Sequence, residues 1–332
     1  MVVLVTGGLG YIGSHACVAL LESGYDVVIL DNLSSGKLDV VSRIETITGR
    51  KPVLVVGDVR DTAVLKQVFN CHNIAAVLHF AGLKSPSESL SIPLEYFDCN
   101  VGGTLALLRA MHEKNIKTIV FSSSATVYGL PEEMPVTEAC RAESPINPYG
   151  RSKLMAERIL RDLAASDPEW RVACLRYFNP VSAHSGGLIG ENPTAIPGNL
   201  MPYVTQVASG RLPRLTVFGS DYHTRDGTGI RDFIHVQDLA EGHVATLQYL
   251  QHTTGFEVFN LGTGTGVSVL ELISTFEQTT GQKIAYEVGP RRSGDVAECW
   301  ADSSKAERLL GWKARFGLVE MCRHAWQWEQ TC

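Results

Sequence analysis

Residues 1–31 constrain the fold of this chain more than any other stretch. A short apolar run rich in β-branched residues, MVVLVT at 1–6, passes at once into Gly7, Gly8, Gly10 and Gly13. A helical stretch follows to Leu21 and stops near Gly24, and a second apolar run at 26–30 delivers Asp31, 18 residues beyond Gly13. Strand, glycine turn, helix, strand and acid in this register predict the dinucleotide-binding half of a doubly wound sheet. Gly8, Gly10 and Gly13 fit the tighter glycine spacing and Gly7, Gly10 and Gly13 the wider one. The turn needs glycine because side chains would keep a pyrophosphate from the helix N-terminus, where free N–H groups and the dipole favour an anion. At the strand tip, Asp31 is placed to accept hydrogen bonds from an adenosine ribose and to repel an extra phosphate, which selects NAD over NADP. The competing reading, a glycine-rich turn followed by an unrelated surface Asp, explains one feature and not the register.

Further strand-like runs lie at 52–58, 75–82, 117–122, 171–179 and 255–262, with helical stretches between the earlier ones. The alternation predicts an α/β fold, a Rossmann-type parallel sheet with helices on both faces and ligands at the carboxyl ends of its strands. At that edge Asp58 can accept from an adenine amino group, and the Phe80, Ala81, Gly82 stretch lets backbone approach a dinucleotide. His79 reads as a core histidine bonded to backbone. From Pro180 to about Pro213, Gly, Pro and Asn accumulate, as in loops flooring a substrate cleft. The expected division is therefore 1–180 for the dinucleotide domain, rejoined by about 233–262, and 181–332 for a smaller α/β substrate domain. A 332-residue chain that is 45% hydrophobic suits two lobes with a large core. Its net charge of −6 and lack of a basic run argue against nucleic acid, and no apolar run approaches the roughly 18 residues of a membrane span. The N-terminus is itself the first strand, so no secretion signal or anchor is expected. Eight cysteines without a Cys-x-x-Cys pair or a Cys/His cluster predict no metal and reduced thiols in a cytoplasmic protein.

Three serines at 122–124, followed by Tyr149 and by Lys153 four residues later, suggest a base for a sugar hydroxyl. A free phenol, with a pKa near ~10, is a poor base at neutral pH, and a lysine one helical turn away favours its ionised form. Removing a hydroxyl proton eases release of hydride from the same carbon to a nicotinamide. Tyr-x-x-x-Lys alone is common; beside a dinucleotide turn it becomes specific.

Several blocks carry a family resemblance: VTGG at 5–8 with YIGSH at 11–15, HFAGLK at 79–84, residues 121–129 and 175–181, NLMPY at 199–203, and residues 226–239. Over nearly its whole length the chain resembles the extended short-chain dehydrogenase/reductase superfamily, and within it the sugar-nucleotide epimerases. The resemblance implies Tyr149 as base, Lys153 as its electrostatic partner and nicotinamide-ribose ligand, and Ser124 as a bridge to the sugar hydroxyl. It implies cofactor contacts at Gly7, Gly10, Tyr11, Ile12 and Gly13, at Asp31, Asn32, Ser35 and Gly36, at Asp58 and Val59, and at Phe80, Ala81, Gly82, Lys84, Ser124, Tyr149, Lys153 and Phe178. Substrate contacts are implied at Lys84, Ser124, Tyr149, Asn179, Asn199, Leu200, Arg231, Arg292, Asp295 and Cys299. Guanidinium forks suit a diphosphate, although Arg231 and Arg292 read equally well as surface salt bridges. Tyr222, Phe233 and Trp300 could stack on a base, but core packing is the better reading. Cys99 stands where a relative has Asn at a cofactor contact, Arg151 replaces a Lys between the catalytic pair, and the segment at 85–87 also departs from the family pattern.

The activity implied is reversible inversion at C4 of a UDP-hexose through a 4-keto sugar, with bound NAD and no net oxidation, in a homodimer. A small residue at Cys299 leaves room for N-acetylated sugars besides UDP-glucose and UDP-galactose. The alternatives are a nucleotide-sugar 4,6-dehydratase or decarboxylase, and a non-catalytic NAD sensor or scaffold. Dehydratases of this type carry Thr-Asp-Glu where this chain has Ser124, Ala125 and Thr126, and a sensor needs no Ser/Tyr/Lys set.

Overall fold

The computed structural model describes residues 1–193, 196–292 and 295–332. Six parallel strands come in chain order: β1 (Val2–Thr6), β2 (Asp26–Asp31), β3 (Val53–Val56), β4 (Ile74–His79), β5 (Thr118–Ser124) and β6 (Arg171–Tyr177). Four short strands follow: β7 (Asn179–Val181), β8 (Leu215–Phe218), β9 (Ile230–Arg231) and β10 (Phe233–His235). The chain then returns as β11 (Gly255–Leu261), which pairs in parallel with β6 along its length. The resulting seven-stranded sheet runs β11-β6-β5-β4-β1-β2-β3. Its order reverses between β1 and β4, the crevice where this fold type takes a dinucleotide.

Near-continuous burial of β1, β2 and β4 fits strands covered on both faces. On one face, the Tyr11–Glu22 and Val236–Leu250 helices pack over Val3, Val5, Ile29 and Leu78. On the other, the Thr62–Cys71, Gly103–Glu113 and Pro148–Ser166 helices bury Leu4, Val77, Ile119 and Trp170. β12 (Val267–Ser268), β13 (Tyr286–Gly289) and β14 (Glu298–Cys299) complete small sheets with β9 and β8. Around them a separate apolar cluster joins the Leu200–Ala208, Val269–Thr280 and Leu318–Glu329 helices.

Each expected strand is present, with ends shifted by a few residues. The run expected at 75–82 leaves the ladder after His79, because Phe80, Ala81 and Gly82 turn across the sheet edge while Phe80 N still donates to Thr6 O at 3.0 Å. His79 differs in its partners: its ring bonds to the hydroxyls of Thr6 (2.7 Å) and Thr104 (3.0 Å), not to backbone. Tyr222 and Phe233 are buried as expected, and Trp300 is half-buried.

Candidate active site

The glycine turn is built for close approach of another chain or ligand. Gly7 has φ +69°, and a Cβ there would lie 2.8 Å from Ala81 N; at Gly13 it would lie 2.2 Å from Gly7 O. Gly10 caps the Tyr11–Glu22 helix with no side-chain hydrogen bond, so its first-turn N–H groups have no side chain competing for them. Asp31, buried at the end of β2, accepts from Leu9 N and Leu33 N, each at 2.9 Å. Those bonds fix its carboxylate beneath the turn, and Leu33 takes φ 62° to make its own. Ser35 and Gly36 continue this loop, with the Gly36 backbone against Leu9 and Asp31. After β3, Asp58 is forked by Arg60 (2.9 and 2.8 Å) and accepts from Asn32 at 3.0 Å, and the Arg60 guanidinium holds it well below the usual carboxylate range. Val59 is buried against Gly103. The Tyr11 hydroxyl donates to Ser182 O at 2.8 Å and ties the turn to the segment after β7.

The catalytic candidates converge at the ends of β4 and β5. Asn147, whose side chain accepts from Gly150 N at 2.8 Å, starts the Pro148–Ser166 helix with proline at its first position. That start places Tyr149 and Lys153 on one face, both buried. Lys153 Nζ donates to Ser122 O at 2.8 Å and lies 6.0 Å from the centre of the Tyr149 ring. A Cβ on Gly82 would come within 3.8 Å of that ammonium, so the backbone expected to border the nicotinamide meets the lysine. Burial pushes Lys153 down to about 8. Burial pushes the Tyr149 phenol up, and the adjacent Ser124 hydroxyl pulls the other way. The Ser124 hydroxyl thus counters burial without overcoming it, a balance the sequence does not reveal. Ser124 Oγ is itself oriented by Thr126, whose hydroxyl donates to it at 2.9 Å. Cys99 is half-buried with its thiol pushed up by burial.

Two side-chain groups lie toward the C-terminal part. Lys84 and Asn199 both donate to Glu191 Oε1 at 2.8 Å, with Lys84 Nζ 5.8 Å from the Tyr11 ring centre and Leu200 next in the helix. Arg231 pairs with Asp295, and the Arg292 guanidinium stands 4.0 Å from the centre of the Phe218 ring. Of the two readings of the arginines, Arg231 makes the salt bridge, while Arg292 is exposed over an aromatic face. Cys299 lies in register with Arg231 and packs against the cluster containing Val127, Tyr128 and Phe178. Burial pushes its thiol up to about 11, which suits an apolar wall and not a nucleophile. Asn179, in β7, donates its backbone N–H to Asp232 O at 2.9 Å.

Sequence reasoning missed Glu191, Phe218, Thr126 and Asn100. Asn100 holds both backbone groups of Leu83 and bonds Ser152, fixing the loop that carries Gly82 and Lys84. No local motif marks these residues; Thr126 acts on its near neighbour Ser124, and the roles of the other three arise from contacts across the fold. Among the described residues no group of three or more His, Cys, Asp or Glu side chains could hold a metal, and no helix is long and apolar enough to cross a membrane.

A profile of the NAD dependent epimerase/dehydratase family matches residues 3–262. A UDP-glucose 4-epimerase of Bacillus subtilis (strain 168) is 54% identical over 334 residues, spanning 100% of this chain and 97% of its own length. Another from Yersinia pestis is 52% identical over 329 residues, spanning 99% and 97%. The chain is also similar to the solved UDP-glucose-4-epimerase from Stenotrophomonas maltophila with bound NAD and formylated UDP-arabinopyranose, with TM-score 0.98, 53% identity and coverage of 100% and 98%. For the enzyme from Bifidobacterium longum in complex with NAD+ and UDP, the values are 0.97, 50%, 100% and 98%.

Proposed function

Since this chain belongs to the NAD dependent epimerase/dehydratase family, we propose that it is an isomerase inverting C4 of UDP-hexoses, with UDP-glucose and UDP-galactose as its principal pair. The observation that carries this reading is the meeting of Ser124, Tyr149 and Lys153 with the Gly82 backbone at the dinucleotide edge of the sheet. The residues fit NAD: an uncapped helix start, glycines whose side chains would fill the cradle, and a fixed Asp31. When bound, NAD supplies reversible acceptance of hydride from C4.

The chain's own residues supply the rest. Tyr149 takes the C4 hydroxyl proton, through or beside Ser124, and returns it when the opposite face of the sugar is presented. Lys153 stabilises the tyrosine oxygen as it ionises, and its charge counts for more because the site is buried. Arg231, Arg292 and Asn199 hold the UDP, with Phe218 bordering it beneath the Arg292 guanidinium, while the hexose is gripped loosely enough to turn. Cys299 leaves space beside the hexose, so the N-acetylated pair is also accepted. Residues 1–180 with 233–262 form the NAD domain and residues 181–332 the UDP-sugar domain. The protein works as a homodimer in a reducing, cytoplasmic setting that suits its free cysteines. Elimination is disfavoured because the residues after Ser124 are Ala125 and Thr126, with no carboxylate to carry protons for water loss. Incubating the purified protein with UDP-galactose and identifying the product tests the reading: UDP-glucose is expected, and a dehydrated, decarboxylated or unchanged sugar nucleotide overturns it.

A further inference from the structure

Tyr149, Lys153 and Glu157 follow one another at one-turn intervals along the Pro148–Ser166 helix, and three consecutive residues of β5 meet them. The Ser122 carbonyl accepts from Lys153 Nζ at 2.8 Å, the Ser123 hydroxyl donates to Glu157 Oε1 at 2.5 Å, and Ser124 adjoins Tyr149. Arg176 of β6, the register partner of Ser123, forks the same carboxylate, with Nε to Oε1 at 3.0 Å and Nη2 to Oε2 at 2.6 Å. Glu157 and Arg176 are both buried, and the guanidinium lies 4.7 Å from the centre of the Tyr128 ring. An ion pair at this depth is weak as a source of stability, since apolar residues of similar size do as well or better. Its place one turn beyond Lys153 points to another use.

We infer that Glu157, clamped by Arg176 and Ser123, is a positioning residue for the epimerisation proposed above: it fixes the axial register of the Tyr149 helix against β5 and sets a negative charge one turn from the Lys153 ammonium. The inference rests on that reading of Tyr149 and Lys153. Register matters because a misplacement of about 1 Å at a reacting group can cost about 10²-fold in rate, less than one residue's rise along a helix. Charge matters because of what surrounds the lysine. The groups facing it are Cys99 from the Asp98–Gly102 turn, Cys174 from β6, His79 from β4, and Tyr149 and Glu157 from its own helix. Burial pushes both thiols and the phenol up and His79 down to about 3, so all four are neutral near pH 7. Glu157, whose counter-ion is Arg176 of β6, is alone in this set a carboxylate that opposes the burial of Lys153. Without it the ammonium loses its proton at lower pH, and the alkaline limb of kcat moves down.

The test uses the nucleotide-loaded enzyme and two variants, Glu157→Leu/Arg176→Met, which replaces the pair by apolar groups, and Glu157→Gln, which keeps the shape and removes the charge. Thermal unfolding, bound nucleotide, KM for UDP-galactose and the pH profile of kcat are measured. The double variant is expected to match wild type in unfolding, nucleotide content and KM while kcat falls at least about tenfold and its alkaline limb moves to lower pH. Glu157→Gln, which leaves the Arg176 guanidinium without its carboxylate partner, moves the limb to lower pH at least as far. A double variant that folds and keeps the wild-type kcat and limb overturns the inference. Should it fail to fold, Glu157→Gln decides alone, an unmoved limb overturning it. A wild type that does not turn over UDP-galactose overturns the reaction and this inference with it, an outcome distinct from an active wild type with unchanged variants.

Discussion

Tyr149 contributes to this protein twice, through a ring that packs and an oxygen that ionises, and the two can be separated. The ring meets Tyr96 edge-on, with centroids 6.4 Å apart, and phenylalanine preserves that contact. Tyr149→Phe is therefore expected to keep the thermal unfolding midpoint and bound nucleotide while losing about 10²–10⁴ in epimerisation rate, the usual worth of a general base. Near-wild-type turnover in that variant would remove the tyrosine from the mechanism. Cys299 poses a question of volume. Because its thiol packs beside Phe178 and Tyr128, tyrosine in its place would narrow the same space, with a penalty of roughly 1–3 kcal/mol for whatever must then crowd into it. Cys299→Tyr should suppress interconversion of UDP-N-acetylglucosamine and UDP-N-acetylgalactosamine and spare the plain pair. Assays of both pairs on both proteins check this; equal losses, or a wild type inactive on the acetylated pair, would remove Cys299 from specificity.

At the scale of elements, β2 and the turn after β1 act as one unit, since the Asp31 carboxylate at the tip of β2 accepts from Leu9 N inside the turn. A carboxylate so fixed cannot swing away from a ribose phosphate, so protein denatured after purification should release NAD(H) and little NADP(H). Chromatography of the extract reads the ratio, and a predominance of NADP(H) would mean that Asp31 does not face the ribose. This unit was legible in the sequence because every contact in it is local: glycine spacing, β-branched runs and an acid at a fixed interval describe the strand, turn and helix almost completely. Tyr149 and Lys153 were legible for the same reason, one helix face being a matter of spacing. Glu191, Phe218 and Asn100 were not, because each acquires its partners from distant segments: Glu191 from Lys84 and Asn199, Phe218 from Arg292, and Asn100 from Leu83 and Ser152. His79 shows the same limit at one residue, its burial foreseeable but its two threonine partners visible only once β1 and the Gly103–Glu113 helix are placed beside it.

Among the described residues, one group of exposed apolar side chains sits on the elements that support the base. Leu90 and Leu94 are 64% and 80% exposed, and Ile92 lies between them. Met155 is also exposed, on the Pro148–Ser166 helix, against which the Pro86–Ser91 and Pro93–Phe97 helices pack. Side chains of this size in neighbouring positions make a patch of the kind that soluble monomers rarely leave uncovered. A second copy related by a two-fold axis would cover it with its own, since a self-complementary apolar face needs no other partner. Such an interface would also brace the helix that carries Tyr149 and Lys153, so association and activity should fall together. Light scattering is expected to give twice the 36.2 kDa chain mass for wild type. Leu90→Glu/Leu94→Glu should shift the protein toward the single-chain mass, because facing carboxylates would repel one another in a desolvated contact. The same variant should lose activity on dilution sooner than wild type. A wild type that scatters as one chain at every concentration, or a variant that stays paired, would place the contact elsewhere or remove it.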